Sequence, residues 1–92
     1  RSKPDLAEAY SGRGNSYANM GQQGKALEDY CKAIQFKPDY ADAYNNRGLL
    51  YYIMGQQDKA LADYNKAIQL KPDFAIAIQN RDILLKAMGR KV

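Results

Sequence analysis

Catalysis and metal binding draw on a short list of side chains, and this 92-residue sequence is poor in them. It has no histidine and no threonine, a single cysteine at Cys31, and serines only at Ser2, Ser11 and Ser16. A Ser-His-Asp or Cys-His unit cannot be assembled, because no imidazole is present to take the nucleophile's proton. A zinc site is implausible on the same composition. The glycines do not form a phosphate-binding loop, which would need a Lys-Ser or Lys-Thr pair after its last glycine. The expectation is a chain that is not an enzyme, with no catalytic residue, no metal and no cofactor. What recurs instead are groups suited to recognition or packing: Arg13, Arg47 and Arg81, Asp29 and Asp63, and asparagines at Asn15, Asn45, Asn46 and Asn80.

The formal net charge is +4, from 14 basic and 10 acidic residues. Setting aside Arg1, Lys3, Arg90 and Lys91 leaves 14 − 4 = 10 bases against 10 acids, so the surplus sits at the two ends. A phosphate-binding surface needs Lys and Arg gathered on one face. Here Lys25 and Lys32 alternate with Glu28 and Asp29, the pattern of a solvated helix face. This disfavours a nucleic-acid partner. No apolar run approaches the roughly 18 residues of a membrane span, so no membrane partner is expected. One unpaired cysteine rules out an internal disulfide and points to a reducing, cytoplasmic setting. Because the chain opens in mid-pattern, it is expected to be a piece excised from a longer protein.

The elements that must carry these residues follow from a period. Lys-Pro-Asp occurs at 3–5, 37–39 and 71–73, an interval of 34 residues each time. Aligning 7–40 with 41–74 gives 22 identities in 34, and a third copy begins at Ala75 and stops early. Fixed-period self-similarity signals stacked repeats, each too small to bury its own apolar face. Within a copy, Tyr10, Gly14, Tyr17 and Gly21 mark one stripe of a helix, and Ala26, Leu27, Tyr30, Ala33 and Ile34 mark another. The spacing predicts helices over 6–20, 24–37, 40–54, 58–71 and 74–88, paired antiparallel. Gly21 and Gly55 fit a helix C-terminus that needs positive φ. Gly14 and Gly48 fit a close approach of two helices, with Ala26, Ala33, Ala60 and Ala67 doing the same from the partner helix. Lys-Pro-Asp then reads as stop, break and start: Lys in the last turn, Pro as breaker, and Asp39 or Asp73 as N-cap. Asp58 is a further expected N-cap. The tyrosines at 10, 17, 30, 44, 51 and 64 are expected in the core.

On these residues the chain resembles the tetratricopeptide repeat family, whose pattern is W-x2-L-G-x2-Y, A-x3-F and P within 34 residues. Tyr10-x2-Arg13-Gly14-x2-Tyr17, Ala26-x3-Tyr30 and Pro38 fit it, as do Tyr44-x2-Arg47-Gly48-x2-Tyr51, Ala60-x3-Tyr64 and Pro72. Tyr stands for Trp and Phe, and Arg for Leu. The Arg occupies a packing position of the pattern, so Arg13–Asp29 and Arg47–Asp63 are expected to pair across each helix pair. The resemblance implies an all-α, right-handed superhelical stack: repeats at 7–40 and 41–74, then a capping helix at 75–88. It also implies a protein-interaction scaffold that holds a peptide in a concave groove lined by the first helix of each repeat.

Positions that differ between copies are then the informative ones: Glu8, Ser11, Gly12, Asn15, Ala18 and Asn19 in the first copy, Asp42, Asn45, Asn46, Leu49, Tyr52 and Ile53 in the second. The third offers Ile76, Gln79, Asn80, Ile83, Lys86 and Ala87. Asn15, Asn45, Asn46, Leu49, Tyr52, Gln79, Asn80 and Ile83 form the expected peptide site. A clamp for a terminal carboxylate, known in the family, would match Ser11, Asn15, Asn46, Ile76 and Asn80. Both asparagines are there and all three cations are missing, so that mode is rejected. An asparagine ladder reading a peptide backbone fits Asn46 and Asn80 but not Gly12. Self-association through the array's ends is the alternative partner.

Overall fold

The computed structural model describes residues 3–89, with side chains from Leu6 onward. Five helices follow one another: α1 Lys3–Asn19, α2 Gln23–Phe36, α3 Ala41–Ile53, α4 Gln57–Leu70 and α5 Ala75–Ala87. Connections of three or four residues force neighbours to run antiparallel. The chain is an all-helical solenoid in which α1 packs on α2 and α3 on α4, and α5 lies against α4.

The short connections have a local cause. Gly21 and Gly55 take φ of +78° and +82°. This lets the Gln22 amide reach back to the Tyr17 carbonyl at 2.8 Å while Gly21 bonds to Ala18 at 3.0 Å, and the pattern repeats at Gln56–Tyr51 and Gly55–Tyr52. Both bonds together are the Schellman arrangement. Gln22 and Gln56 then serve as N-caps, their carbonyls accepting from Ala26 and Ala60 at 3.0 Å. Asp58 is therefore not the N-cap expected of it: it lies inside the first turn of α4, where a carboxylate suits the helix dipole.

Lys-Pro-Asp also works differently in detail. Lys37 and Lys71 are C-caps rather than last-turn residues, at φ −142° and −141°. Proline crowds the residue before it out of the helical region, so the helix must end there. The Lys37 carbonyl accepts from Tyr40 at 3.1 Å and Lys71 from Phe74 at 3.0 Å, closing a turn around Pro and Asp. That turn makes Tyr40 and Phe74 the N-caps, with no side-chain cap bond, and leaves Asp39 and Asp73 one residue too early. Each lysine ammonium instead lies over the aromatic ring that follows, at 5.0 Å and 4.8 Å. The first copy is no stop at all, since α1 already begins at Lys3; Pro4 sits in the first turn, where its missing N–H has no partner to lose. Arg1, Arg90 and Lys91, which carry most of the surplus charge, lie outside the described residues.

The core is built between repeats. Leu50 of α3 is buried against Ala26 and Tyr30 of the preceding pair, flanked by Tyr17, Ala18 and Leu27. Leu84 of α5 repeats this against Ala60 and Tyr64. Ala26, Ala33, Ala60 and Ala67 are fully buried, as a close approach requires. A Cβ at Gly14 would lie 2.8 Å from the Tyr30 ring, and one at Gly48 equally close to Tyr64.

Candidate functional site

Which face is open follows from which helices touch. α1 contacts α3 and α3 contacts α5, whereas α2 and α4 do not meet. The first helices thus lie side by side while the second helices splay, and the stack bends toward α1, α3 and α5. On this inner face each helix presents one stripe at i, i+4, i+7 and i+11. The stripe is Glu8, Gly12, Asn15 and Asn19 on α1; Asp42, Asn46, Leu49 and Ile53 on α3; Ile76, Asn80, Ile83 and Ala87 on α5. All are exposed apart from Asn46 and Asn80, which are half-buried. Between α1 and α3 the face forms a cleft of about 360 Å³ bounded by Asn15, Ala18, Asn19, Tyr30, Asn46, Leu49 and Ile53.

The expected site residues divide on this surface. Leu49, Gln79 and Ile83 are exposed, and Ile53 and Ile83 are 60% and 56% exposed despite being aliphatic. Asn15 is exposed, and its carbonyl oxygen accepts from the buried Tyr30 hydroxyl. Tyr52 is half-buried and flanks the Tyr64–Leu84 cluster. Asn45 does not stand open: it is only 7% exposed, and its Oδ1 accepts from Asn80 Nδ2 at 3.1 Å. One repeat earlier, Asn46 Nδ2 donates to the buried Ser11 Oγ at 3.4 Å. These two bonds are the same joint, α1 to α3 and α3 to α5. Asn46 and Asn80 therefore spend one donor inside the protein, leaving one N–H and one carbonyl oxygen each. Asn19 and Ile53 line the cleft although the sequence reading left them out of the site. Their stripe spacing was the signal available.

The recurring arginines are structural. Arg13 Nε and Nη2 donate to Asp29 at 2.8 and 2.9 Å, and Arg47 reaches Asp63 at 2.8 Å through the same two atoms. Each guanidinium lies near two tyrosine rings, Arg47 at 5.6 Å from Tyr44 and 5.8 Å from Tyr51. The pairing expected from the sequence is borne out, and Tyr10, Tyr17, Tyr44 and Tyr51 are half-buried shelves for it rather than core. Tyr30 and Tyr64 alone of the six are buried. Hydrogen bonding to Arg13 holds the Asp29 carboxyl below the ordinary carboxylate range. Desolvation, with smaller contributions from Tyr52 and Asp63, pushes Tyr64 up to about 12. Arg47 Nη1 also donates to Cys31 Sγ of the preceding pair at 3.5 Å, which leaves its side chain 20% exposed against 55% for Arg13. Arg81 pairs with its neighbour Asp82 at 3.3 Å, and the Asp82 side chain is 41% exposed. Among the described residues no helix is long and apolar enough to cross a membrane.

Comparison with known proteins agrees with this architecture. A family model described as "Tetratricopeptide repeat" matches residues 41–74, and one described as "TPR repeat" matches 14–55. No curated protein sequence matches the chain. Among solved structures, MamA is similar at 35% identity and a TM-score of 0.88, over 94% of this chain and 50% of that one. The chain thus spans half the length of that relative. The first repeat domain of Spaghetti (RPAP3), bound to the HSP90 peptide SRMEEVD, is similar at 24% identity and TM-score 0.88, over 91% of this chain and 67% of that one. The OM64 repeat domain of Arabidopsis follows at 22% identity and TM-score 0.89, covering 95% and 72%. The last two likenesses concern the fold.

Proposed function

We propose that this chain, a member of the tetratricopeptide repeat family, is a non-catalytic scaffold that binds a peptide segment of a partner protein on its inner face. The observation that carries the reading is the aliphatic surface there: Leu49, Ile53 and Ile83 face solvent, Leu49 and Ile53 in the wall of the cleft, whereas their helix neighbours Leu50 and Leu84 are buried. Exposed aliphatics gathered on one concave face mark a binding surface. Asn15, Asn46, Leu49, Gln79, Asn80 and Ile83 are the contacts in this reading, with Tyr52 at the floor; Asn45 supports the surface from beneath. Amide chemical-shift mapping tests it with a peptide selected from a random library. Shifts should cluster on α1, α3 and α5. Shifts confined to α2 and α4, or to the two ends of the stack, would reject the reading.

Self-association through the ends of the array is the weaker reading. Leu6 and Phe36 are exposed at the first pair, which favours it. Against it, α1 carries Ser16 where α3 and α5 insert Leu50 and Leu84. A stack extended at α1 would lack the apolar knob that joins the other repeats. Sedimentation at rising concentration separates the two.

A further inference from the structure

The inner face is not uniform, and its pattern specifies the chemistry of an occupant. Toward the N-terminal ends of α1 and α3 it carries Glu8 and Asp42, both exposed, with the exposed Ile76 at the same level of α5. At the other end it carries Leu49 and Ile53 on α3 and Ile83 on α5. No lysine or arginine occupies any of the twelve stripe positions; Lys86 lies alongside, at the apolar end of α5. Resting on the peptide-binding reading above, we infer that the partner is an internal segment carrying a basic residue and an aliphatic residue, not an acidic or C-terminal one.

Charge complementarity carries the choice. A free carboxylate or an acidic side chain laid over Glu8 and Asp42 would meet like charge, and none of the twelve stripe positions supplies a cation. A lysine or arginine would meet two carboxylates there. The spacing follows from helix geometry. Asp42 lies seven residues from Leu49 and eleven from Ile53 on α3, about 10 and 16 Å along the axis at 1.5 Å per residue. The two anchors of the ligand are therefore two to three turns apart if it is helical. If it is extended, three to five residues separate them at roughly 3.3 Å each. Asn46 and Asn80, with one free N–H and one carbonyl oxygen apiece, lie between the anchors and suit the polar groups in between. Asp42 sits in the first turn of α3, where it also suits the dipole. Glu8 is in the second turn of α1 and has no such role.

A phage-displayed library of random 16-residue peptides, fused so that neither end is free, selects against the chain. The enriched consensus should hold Lys or Arg and Leu, Ile or Met at one of these spacings. Its synthetic, end-blocked form should lose roughly tenfold in affinity when its cation is changed to Glu, two exposed ion pairs being at stake. The double variant Glu8→Gln/Asp42→Asn should bring that discrimination to about twofold or less. Loss of the Asp42 charge from the first turn of α3 shows separately as a small fall in melting temperature, which by itself leaves the preference between the two peptides unchanged. Leu49→Asp should abolish binding of the consensus. Enrichment of acidic peptides, equal binding of the charge-reversed peptide, or tighter binding of SRMEEVD would overturn the inference. If those peptides are still lost on Leu49→Asp, the peptide-binding face itself stands. Enrichment of nothing removes both.

Discussion

Gly48 and Gly12 lie on neighbouring first helices, and the structure predicts opposite effects for the same substitution. A methyl group at position 48 would sit 2.8 and 2.9 Å from the Tyr64 ring and 3.2 Å from Asp63 Cβ. Tyr64 is almost fully buried, wedged between Ala60 and Leu84, so its ring cannot swing aside without disturbing the joint to α5. Overpacking of this kind costs about 1–3 kcal/mol, against a gain of about 0.5–1 kcal/mol from replacing glycine in a helix. Gly48→Ala should therefore destabilise, by up to about 2.5 kcal/mol, which lowers the melting temperature by up to roughly 20 °C in a domain of this size. At Gly12 a methyl group meets nothing within 4 Å. Gly12→Ala should stabilise by about 0.5–1 kcal/mol. Thermal and urea melts followed by circular dichroism at 222 nm measure both. Equal effects of the two substitutions, or a rise in melting temperature for Gly48→Ala, would refute the close approach of α3 and Tyr64.

Asp63→Ala leaves the largely covered Arg47 guanidinium without its two acceptors and should cost about 2–3 kcal/mol, the lower part of the range for breaking a buried pair because Arg47 keeps some access to water. Arg47→Leu/Asp63→Ala should recover at least half of it in urea melts; a double variant no better than the single one contradicts the pairing. The Asp29 carboxyl has a lower pKa folded than unfolded, so its stabilisation is complete above the ordinary carboxylate value and is lost as pH falls through the folded one. The stability gap between the parent chain and Asp29→Asn should accordingly be flat near neutrality and close below about pH 4, whereas a gap that widens in acid reverses the assignment. Leu84→Ala empties the pocket formed by Ala60, Tyr64, Tyr51 and Tyr52 and should cost about 3 kcal/mol, while Ile83→Ala, one residue away and exposed, should stay within about 0.5 kcal/mol. Comparable losses at the two sites would mean that α5 is rotated from its described seat.

The local features were legible because they are decided within a few residues. Gly21 and Gly55 had to take positive φ for the chain to reverse in three residues, and Pro38 had to expel Lys37 from the helix. The 34-residue period revealed the helix pairs, and Arg13 with Asp29 recurred as Arg47 with Asp63 at a fixed separation, enough to anticipate the pairing. Asp39, Asp58 and Asp73 were misplaced as caps because a cap depends on the register of a turn: a shift of one residue moves the role to Tyr40 or Phe74, and a shift of two moves it from Asp58 to Gln56.

The site was harder to read for a different reason. Asn45 and Asn46 are adjacent and chemically identical; the stripe spacing puts Asn46 on the inner face, but it does not reveal that a neighbouring helix covers Asn45. The packing of α5 on α3 decides it: Asn80 Nδ2 donates to Asn45 Oδ1 and Asn45 is covered, while Leu49 and Ile53 stay in the open. The same stacking covers Arg47 with Cys31 while Arg13, its twin in sequence, stays half exposed. A repeat determines by itself how each pair folds. What each copy buries depends on the neighbour that lies against it, and that is a property of the stack.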